Sequence, residues 1–585
     1  MSRSPLSSET GTVRKKWKGL LPVALLYPNS YPLAVSNLGF QLVYSLLNEL
    51  DFIVCERFVY PVAAAPLRSL ESNRLLTDFP LVLGSISFEH DFPRFAGMLA
   101  AGGIEPFTEN RTDAVGSGSP LVVLGGVGVF MNPEPLAPFA DLMVIGEAEP
   151  VLSVLVQEIA GLIDRQRQRP DILRHLGRMT GCYAPSLYSF SYDEEGRVRK
   201  ITPQPGMPGR ISKVVQNDTN IAAHSMQMSP EAELGMYMTE LGRGCSRGCR
   251  FCAAGFIYRP PRLWSSDAIL RALEERPAGV DRVGLLGMEM AEPDVLDRIA
   301  GHLQEHGCSL SFSSLRADRI SDQLLSLLAG SGLKSVAIAP DGCSERLRRV
   351  INKGLCEQDL LDAAVALVGA GIVHLKLYVM IGLPTETEQD LDELIALIQR
   401  LGTLILPIGR KRGRVSEITL SVNSFVPKPW TPFQYLSFGG LDYEQALADR
   451  DCSQAVMALK RKIKYLRKAF TGAGNLRLKV DRPDRVLQQA VFSRGDRRLA
   501  SVLFDIGTGR SSFKQAMKKY GLTPWEYALR PRDENERMCW EIVDHGIDPG
   551  YLYQEYCKAM NEKLTVPCDP GKCRRCGVCN EPSAV

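Results

Sequence analysis

No apolar run in these 585 residues is long enough to span a bilayer. The nearest approach is residues 20–27 (LLPVALLY), behind a basic RKKWK. It lacks a small-residue cleavage site and runs straight into PNSYPLAVSNLGF, which argues against an export signal. We read it as a first buried strand behind a disordered polar start over residues 1–20, in a cytoplasmic chain. Charge of one sign is also missing. Lys and Arg total 69 against 66 Asp and Glu, a formal net charge of +3, so the molecule as a whole is neither a polyanion binder nor an acidic tail. No internal repeat is visible. The fifteen cysteines are odd in number and follow no export signal, which argues against a disulfide framework. Eight are scattered as ordinary buried thiols, and the rest fall into two tight clusters.

What is present is alternation. With 45% apolar and 23% charged residues, the composition is that of a globular protein of about three or four domains. Over residues 21–150, PVALLYP, FIVCERF, FPLVLGSISF, PLVVLGG and LMVIGEAE are short apolar runs bounded by Pro or Gly, as buried parallel strands are. LGFQLVYSLLNEL and DFPRFAGMLAAGG between them have helical spacing. This predicts an α/β fold, with a Rossmann-like doubly wound parallel sheet and a ligand crevice at its strand ends, at residues 29–31, 85–87 and 125–128. Residues 176–235 are irregular. From MYMTELGRGC a second alternation begins, with strands MYMTEL, RVGLLG, LSFSSL, SVAIAP, LKLYVMIG and EITLSVNSF and helices such as PDVLDRIAGHLQEHG and SDQLLSLLAGSG. Six such units predict a partial (β/α)6 barrel with functional loops at the strand ends. After residue 455 the pattern is mostly helical and basic.

Cys245-x3-Cys249-x2-Cys252 directly follows MYMTEL. Thiolates suit zinc and iron–sulfur clusters. A structural zinc site is closed by four ligands, typically from separated pairs, whereas here three thiols share one loop with no His or further Cys close behind. A cubane cluster on three thiolates keeps one iron open to a small molecule. GRGCSRGCRFC resembles the C-x3-C-x-aromatic-C signature of the radical SAM superfamily, with Phe251 in the aromatic position. The resemblance implies that a [4Fe-4S] cluster on these cysteines chelates S-adenosylmethionine through its amino and carboxylate groups. One electron then cleaves the sulfonium to a 5′-deoxyadenosyl radical, in oxygen-sensitive chemistry fed by a reductant such as flavodoxin or ferredoxin. The same resemblance assigns the methionyl ammonium to Gly287 and Glu289, in a Gly-Met-Glu turn where the family carries a Gly-Gly-Glu-like one. It gives the methionyl carboxylate to Arg316, aided by Ser314. Asp341 stands near the ribose, where many relatives have Glu, and Gly382 allows close approach on the adenine side.

VVLGGVGVFMNPEPLAPFADLMVIGEAEPVL resembles the end of the cobalamin-binding domain that precedes many barrels of this superfamily, and LGFQLVYSLLNE resembles its first helix. Gly125, Gly126 and Gly128 would let the backbone approach that cofactor. The Asp-x-His-x-x-Gly motif that ligates cobalt is absent, and His90, the sole histidine of residues 21–150, reads as a surface residue. Either the domain binds cobalamin without a protein lower ligand, or it keeps the fold without the cofactor.

Cys568-x4-Cys573-x2-Cys576-x2-Cys579 is a second metal signal. Its C-x2-C-x2-C run resembles ferredoxin spacing and fits an auxiliary iron–sulfur cluster; a closed zinc site is the rival. Residues 410–414 (RKRGR) and 460–468 (KRKIKYLRK) are basic. Ile463, Leu466 and Phe470 recur at helical spacing, so the second run is an amphipathic helix, lying near an RNA or nucleotide-like substrate or simply solvated. Trp430 is a lip of the substrate mouth or a packing residue. The expected organisation is a disordered start (1–20), a cobalamin-binding-type Rossmann-like domain (21–175), a linker with short strands (176–230), a radical SAM partial barrel (231–455) and a helical basic region ending in the four-cysteine tail (456–585). The expected function is reductive cleavage of S-adenosylmethionine to start radical chemistry, with cobalamin-dependent methyl transfer as one form. The rival is a metal-dependent RNA- or protein-binding module with a non-catalytic barrel.

Overall fold

The computed structural model describes residues 5–61, 66–289, 291–312 and 314–579. The N-terminal apolar runs form strands β1 (Leu21–Tyr27), β2 (Ile53–Val59), β3 (Leu81–Ser85), β4 (Leu121–Gly125) and β5 (Leu142–Val144), followed by a short β6 (Cys182–Tyr183). They make one sheet in the order β2-β1-β3-β4-β5-β6, parallel except for β6 at the edge. Residues such as Val23, Leu26, Val82 and Val122 are fully buried, as helices on a parallel sheet require. β1 pairs with β2 on one side and β3 on the other. The winding reverses there, which leaves a crevice over the strand ends.

Residues 5–20 correct the expectation of a disordered start. Arg57 pairs with the buried Glu9 at 2.6 Å, and the Thr10 N–H donates to the Met228 carbonyl at 2.9 Å. Trp17 Nε1 donates to Glu56 at 2.8 Å, and Lys15 Nζ caps the Leu50 and Ile53 carbonyls. Lys15 and Trp17 of the basic run are thus tied to the start of β2 and to Glu56 within it, while Arg14, Lys16 and Lys18 face solvent.

The second alternation forms β7 (Tyr237–Glu240), β8 (Arg282–Leu286), β9 (Ser309–Phe312), β10 (Ser335–Gly342), β11 (His374–Ile381) and β12 (Glu417–Ser424), all parallel to their neighbours. A parallel bridge, Leu315 to Ile338, joins the β7–β9 and β10–β12 groups. A seventh parallel strand, β13 (Leu476–Val480), extends the six along β12. The helix Ser453–Ala469 lies between β12 and β13 in the chain and carries the 460–468 run. Its Ile463 and Leu466 are buried, as their spacing predicts. Lys462 pairs with Glu386 at 2.6 Å and Lys460 with Asp484 at 2.7 Å. The 410–414 run closes the helix Glu388–Lys411, where cations suit the carbonyl end.

The C-terminal helices clamp the two sheets together. The helix Ala500–Gly507 crosses Asp91–Ala101 at backbone contact, since a Cβ on Gly507 would fall 1.8 Å from the Pro93 carbonyl oxygen. The buried Arg494 donates to the carbonyls of Tyr527, Ala528, Gln434 and Leu436. Among the described residues, no helix is long and apolar enough to cross a membrane.

Candidate functional site

The loop after β7 carries Cys245, Cys249 and Cys252, all free and partly exposed. Burial raises all three thiols, Cys245 to about 11 and Cys252 to about 12, and Cys249 adds to the shift of the other two. They are close neighbours rather than a preassembled cage: among the described residues, no three His, Cys, Asp or Glu side chains converge in metal geometry. Three soft donors with no disulfide partner, beside the cations Lys353, Arg316 and Arg247 that stabilise the Cys249 thiolate, suit an iron–sulfur cluster with one open iron.

The remaining loop positions are braced. Arg250 is fully buried; it donates to Glu555, to the Arg349, Val350 and Lys563 carbonyls and to Thr565. The Asn352 amide donates to the Arg247 and Gly248 carbonyls, while its oxygen accepts from the Thr565 N–H at 2.8 Å. Glu289 accepts from the Ser246 N–H at 2.9 Å and from its hydroxyl. Sequence reasoning assigned no role to Arg250, Asn352 or Lys353. The only available signal was their place in the stretches CRFC and RRVINKG.

The residues expected around S-adenosylmethionine gather at the same end of the barrel. Arg316 donates to Asp318 at 2.9 Å and to the Lys353 carbonyl, and Asp341, at φ 61°, pairs with Lys353 at 2.7 Å. Ser314 is exposed, and Phe251 packs against the core. Gly287 packs on Leu241. Gly382 has φ +75°, and a Cβ there would lie 2.8 Å from Leu459. Its N–H donates to the carboxylate of Glu386. Packing inside the protein therefore already requires this glycine.

A cavity of about 320 Å³ opens beside the cysteine loop, over the ends of β1, β3 and β4. Gly125, Gly126, Ser85 and Ser87 line it, as the crevice rule predicts, together with Tyr258 and Arg243 of the barrel. A Cβ on Gly125 would meet only Val144, at 3.9 Å, so this backbone faces open space. Three expectations need correction. Gly128 does not line the cavity; it packs against Ile86 and Phe92. His90 is not a surface residue: it is half-buried, stacked on Phe88, with Nε2 unpaired, and burial lowers its pKa. Residues 29–31 also lie outside the cavity lining. Trp430 is buried edge-on against His545, at 4.7 Å, and is a packing residue. Unassigned residues of the quoted IGEAE and GRGC stretches close the cavity wall. Arg243 pairs with Glu149 at 2.7 Å and Glu240 at 3.0 Å, and Arg262 pairs with Glu147 at 2.8 Å.

Behind this crevice, Asn29 Nδ2 and the Phe88 N–H donate to Asp91. Burial pushes this carboxyl up to about 6 from 3.8. Between those values the folded state binds more protons than the unfolded one, so stability falls as pH rises from about 4 to 6 and the penalty persists above 6. The stability of Asp91→Asn relative to wild type should therefore rise by about 2 kcal/mol from pH 4 to pH 8, on top of a pH-independent loss from the one acceptor that an amide cannot supply to Asn29 or Phe88. Urea unfolding of both proteins at the two pH values checks this; an equal difference at both would refute it.

The tail lies on the loop itself. The Cys568 N–H donates to the Ser246 carbonyl at 2.7 Å, and the Asp548 N–H to that of Cys576 at 2.9 Å. Arg575 Nε donates to Cys573 Sγ at 3.2 Å. Burial raises Cys568 to about 11, with Cys573 and Cys576 adding to the shift.

A family model for radical SAM proteins, N-terminal, matches residues 39–185, and one for the radical SAM superfamily matches residues 239–398. The chain is 28% identical over 503 residues to the uncharacterised protein MJ0966 of Methanocaldococcus jannaschii, covering 85% of this chain and 94% of that one. Two solved structures are similar with a TM-score of 0.48 each. One is the cobalamin-dependent S-adenosylmethionine radical enzyme OxsB with aqua-cobalamin and S-adenosylmethionine bound, at 12% identity, covering 92% of this chain and 79% of that one. The other is the radical S-adenosylmethionine methyltransferase TsrM from Kitasatospora setae with cobalamin and a [4Fe-4S] cluster bound, at 14% identity, covering 86% and 99%.

Proposed function

Because the chain belongs to the radical SAM superfamily, we propose that Cys245, Cys249 and Cys252 hold its [4Fe-4S] cluster and that it starts radical chemistry by reductive cleavage of S-adenosylmethionine. The observation that carries this reading is the donor set: three free thiols on one braced strand-end loop, with cations and no fourth thiol of that loop beside them. Bound there, the cluster supplies the single electron that breaks the sulfonium bond. The chain's own residues bind and orient. Arg250 and Asn352 hold the loop backbone, and Glu289 fixes Ser246 next to the first thiol. Lys353 and Arg316 place positive charge near Cys249; the Nε and Nη2 of Arg316 are already committed to Asp318 and the Lys353 carbonyl, so a substrate carboxylate would have to displace Asp318 to take the guanidinium as a fork.

The finer reading is methyl transfer with cobalamin in the N-terminal cavity. Its support is the open backbone at Gly125 and the direct opening toward Arg243 and Tyr258 at the cysteine loop. No histidine lines this cavity, so the cofactor would have no imidazole beneath it. The RNA-binding alternative is weaker: Lys462 is held by the buried Glu386, and Arg461, Lys464, Arg467 and Lys468 face solvent opposite the buried Ile463 and Leu466, as on an ordinary amphipathic helix.

The test is anaerobic reconstitution followed by incubation with S-adenosylmethionine and dithionite. We expect 5′-deoxyadenosine, and S-adenosylhomocysteine as well if methyl transfer operates. A fully loaded cluster that yields neither would sink the reading. Hydroxocobalamin should be retained through desalting by wild type and lost in Gly125→Leu at unchanged iron content; equal retention would remove the cavity from the scheme.

A further inference from the structure

The four tail cysteines sit against the catalytic loop, not at the end of a free arm. One hydrogen bond, from the Cys568 N–H to the Ser246 carbonyl, joins a tail thiol residue to the immediate neighbour of Cys245. From the 2.7 Å bond and standard backbone lengths, the Cα atoms of Cys568 and Cys245 are at most roughly 10 Å apart. Asn352 gives a second link, since it holds Thr565 of the tail and the Arg247 and Gly248 carbonyls of the loop at once.

The tail also faces outward. Its charged side chains over residues 563–579 are Lys563, Lys572, Arg574 and Arg575 against the single acid Asp569. Lys572 is 89% exposed, and the apolar Val566 is 71% exposed. Cys576, by contrast, is buried on the loop side. The site thus spans from a basic, partly apolar surface to the cysteine loop.

Resting on the reading of Cys245, Cys249 and Cys252 as a cluster site, we propose that Cys568, Cys573, Cys576 and Cys579 hold a second iron–sulfur cluster, which passes electrons to the catalytic one from an acidic one-electron carrier docked on the tail. The contiguous C-x4-C-x2-C-x2-C spacing is that of cluster ligands, whereas zinc is typically held by separated pairs. The Arg575 N–H on Cys573 Sγ stabilises the reduced, more negative cluster and so raises its potential. A zinc ion at the same place would fasten the tail and use none of these features. In each transfer the carrier, a flavodoxin hydroquinone, is oxidised by one electron to its semiquinone. The tail cluster is reduced and then reoxidised, and the catalytic cluster is reduced by one electron. No bond or proton changes hands.

The experiment compares full-length wild type with Cys573→Ala/Cys576→Ala and with Arg575→Gln, all reconstituted anaerobically. Metal analysis should find about eight irons in wild type and about four in the double variant. The reading is the rate at which the catalytic cluster's paramagnetic signal grows with flavodoxin hydroquinone, divided by the rate with dithionite. That ratio should fall at least tenfold in the double variant, and in wild type the flavodoxin rate should drop steeply with added salt. Arg575→Gln, which keeps every thiol, should lower the tail potential and leave the catalytic cluster's spectrum in place. Stoichiometric zinc in the wild-type tail, an unchanged ratio in the double variant, or an unmoved potential in Arg575→Gln would each overturn the proposal. Cluster reduction is read without turnover, so an absence of S-adenosylmethionine cleavage would count against the proposed function and leave this result standing.

Discussion

Alanine at any one of Cys245, Cys249 or Cys252 is expected to strip about four irons from the reconstituted protein and to lower 5′-deoxyadenosine formation by more than about 100-fold, beyond the effect of losing a residue behind a metal ligand. The reason lies in the size of the donor set. The loop offers three thiols; the Ser246 hydroxyl is committed to Glu289 and the Asn352 amide to the Arg247 and Gly248 carbonyls. A two-thiolate remnant leaves two irons of the cubane without protein ligands. Iron and sulfide analysis beside product quantification checks this, and iron content equal to that of wild type in any of the three variants would refute it. The tail irons should persist in all three, because no tail cysteine is drawn from this loop.

Arg250→Met should destabilise the protein by about 3–5 kcal/mol, the cost of breaking a buried ion pair by removing one partner. Arg250 has no exposed side-chain surface, and Glu555 opposite is nearly as buried. Removing the guanidinium also leaves the Val350 and Lys563 carbonyls without the donors they now have at 2.9 and 2.6 Å. Lys558, 2.8 Å from Glu555, offsets part of the charge. Arg250→Lys should recover only part of the loss, because an ammonium cannot reproduce a fork that spans five partners. Denaturant unfolding of the metal-free proteins isolates this from cluster loss, and protease cleavage within residues 561–567 should accelerate in parallel. A loss under about 1 kcal/mol would show that the contact is not needed for folding.

The first sheet is legible in the sequence because its strands are buried on both faces, and continuous apolar runs between Gly and Pro mark them without help from context; barrel strands such as β11 and β12 alternate buried with part-exposed residues, and their regular spacing between helical segments marks them instead. β13 is not legible, because LRLKV alternates half-buried aliphatics with the exposed Arg477 and Lys479 and follows a basic helix. Residues 5–20 hide their order for a related reason: Lys15 and Trp17 look like a solvated start until the Leu50 and Ile53 carbonyls and Glu56 stand beside them. The cysteine spacing announced the loop by itself. Its bracing by Glu555, Thr565 and Asn352 was invisible, since those partners lie 100 residues or more away and none belongs to a spacing pattern.

The contact of Cys568 with Ser246 bears on the protein's birth. More than 300 residues separate the loop from Cys568. On a ribosome adding roughly 5–20 residues per second, the three loop thiols emerge some 15–65 s before the segment that docks beside them. During that interval they are open to oxygen, to stray metal and to any cluster-delivery machinery. Loading of the first site while the chain is still growing thus meets the loop without its tail, and loading after release meets it with the Cys568 segment in place beside thiols that are still partly exposed.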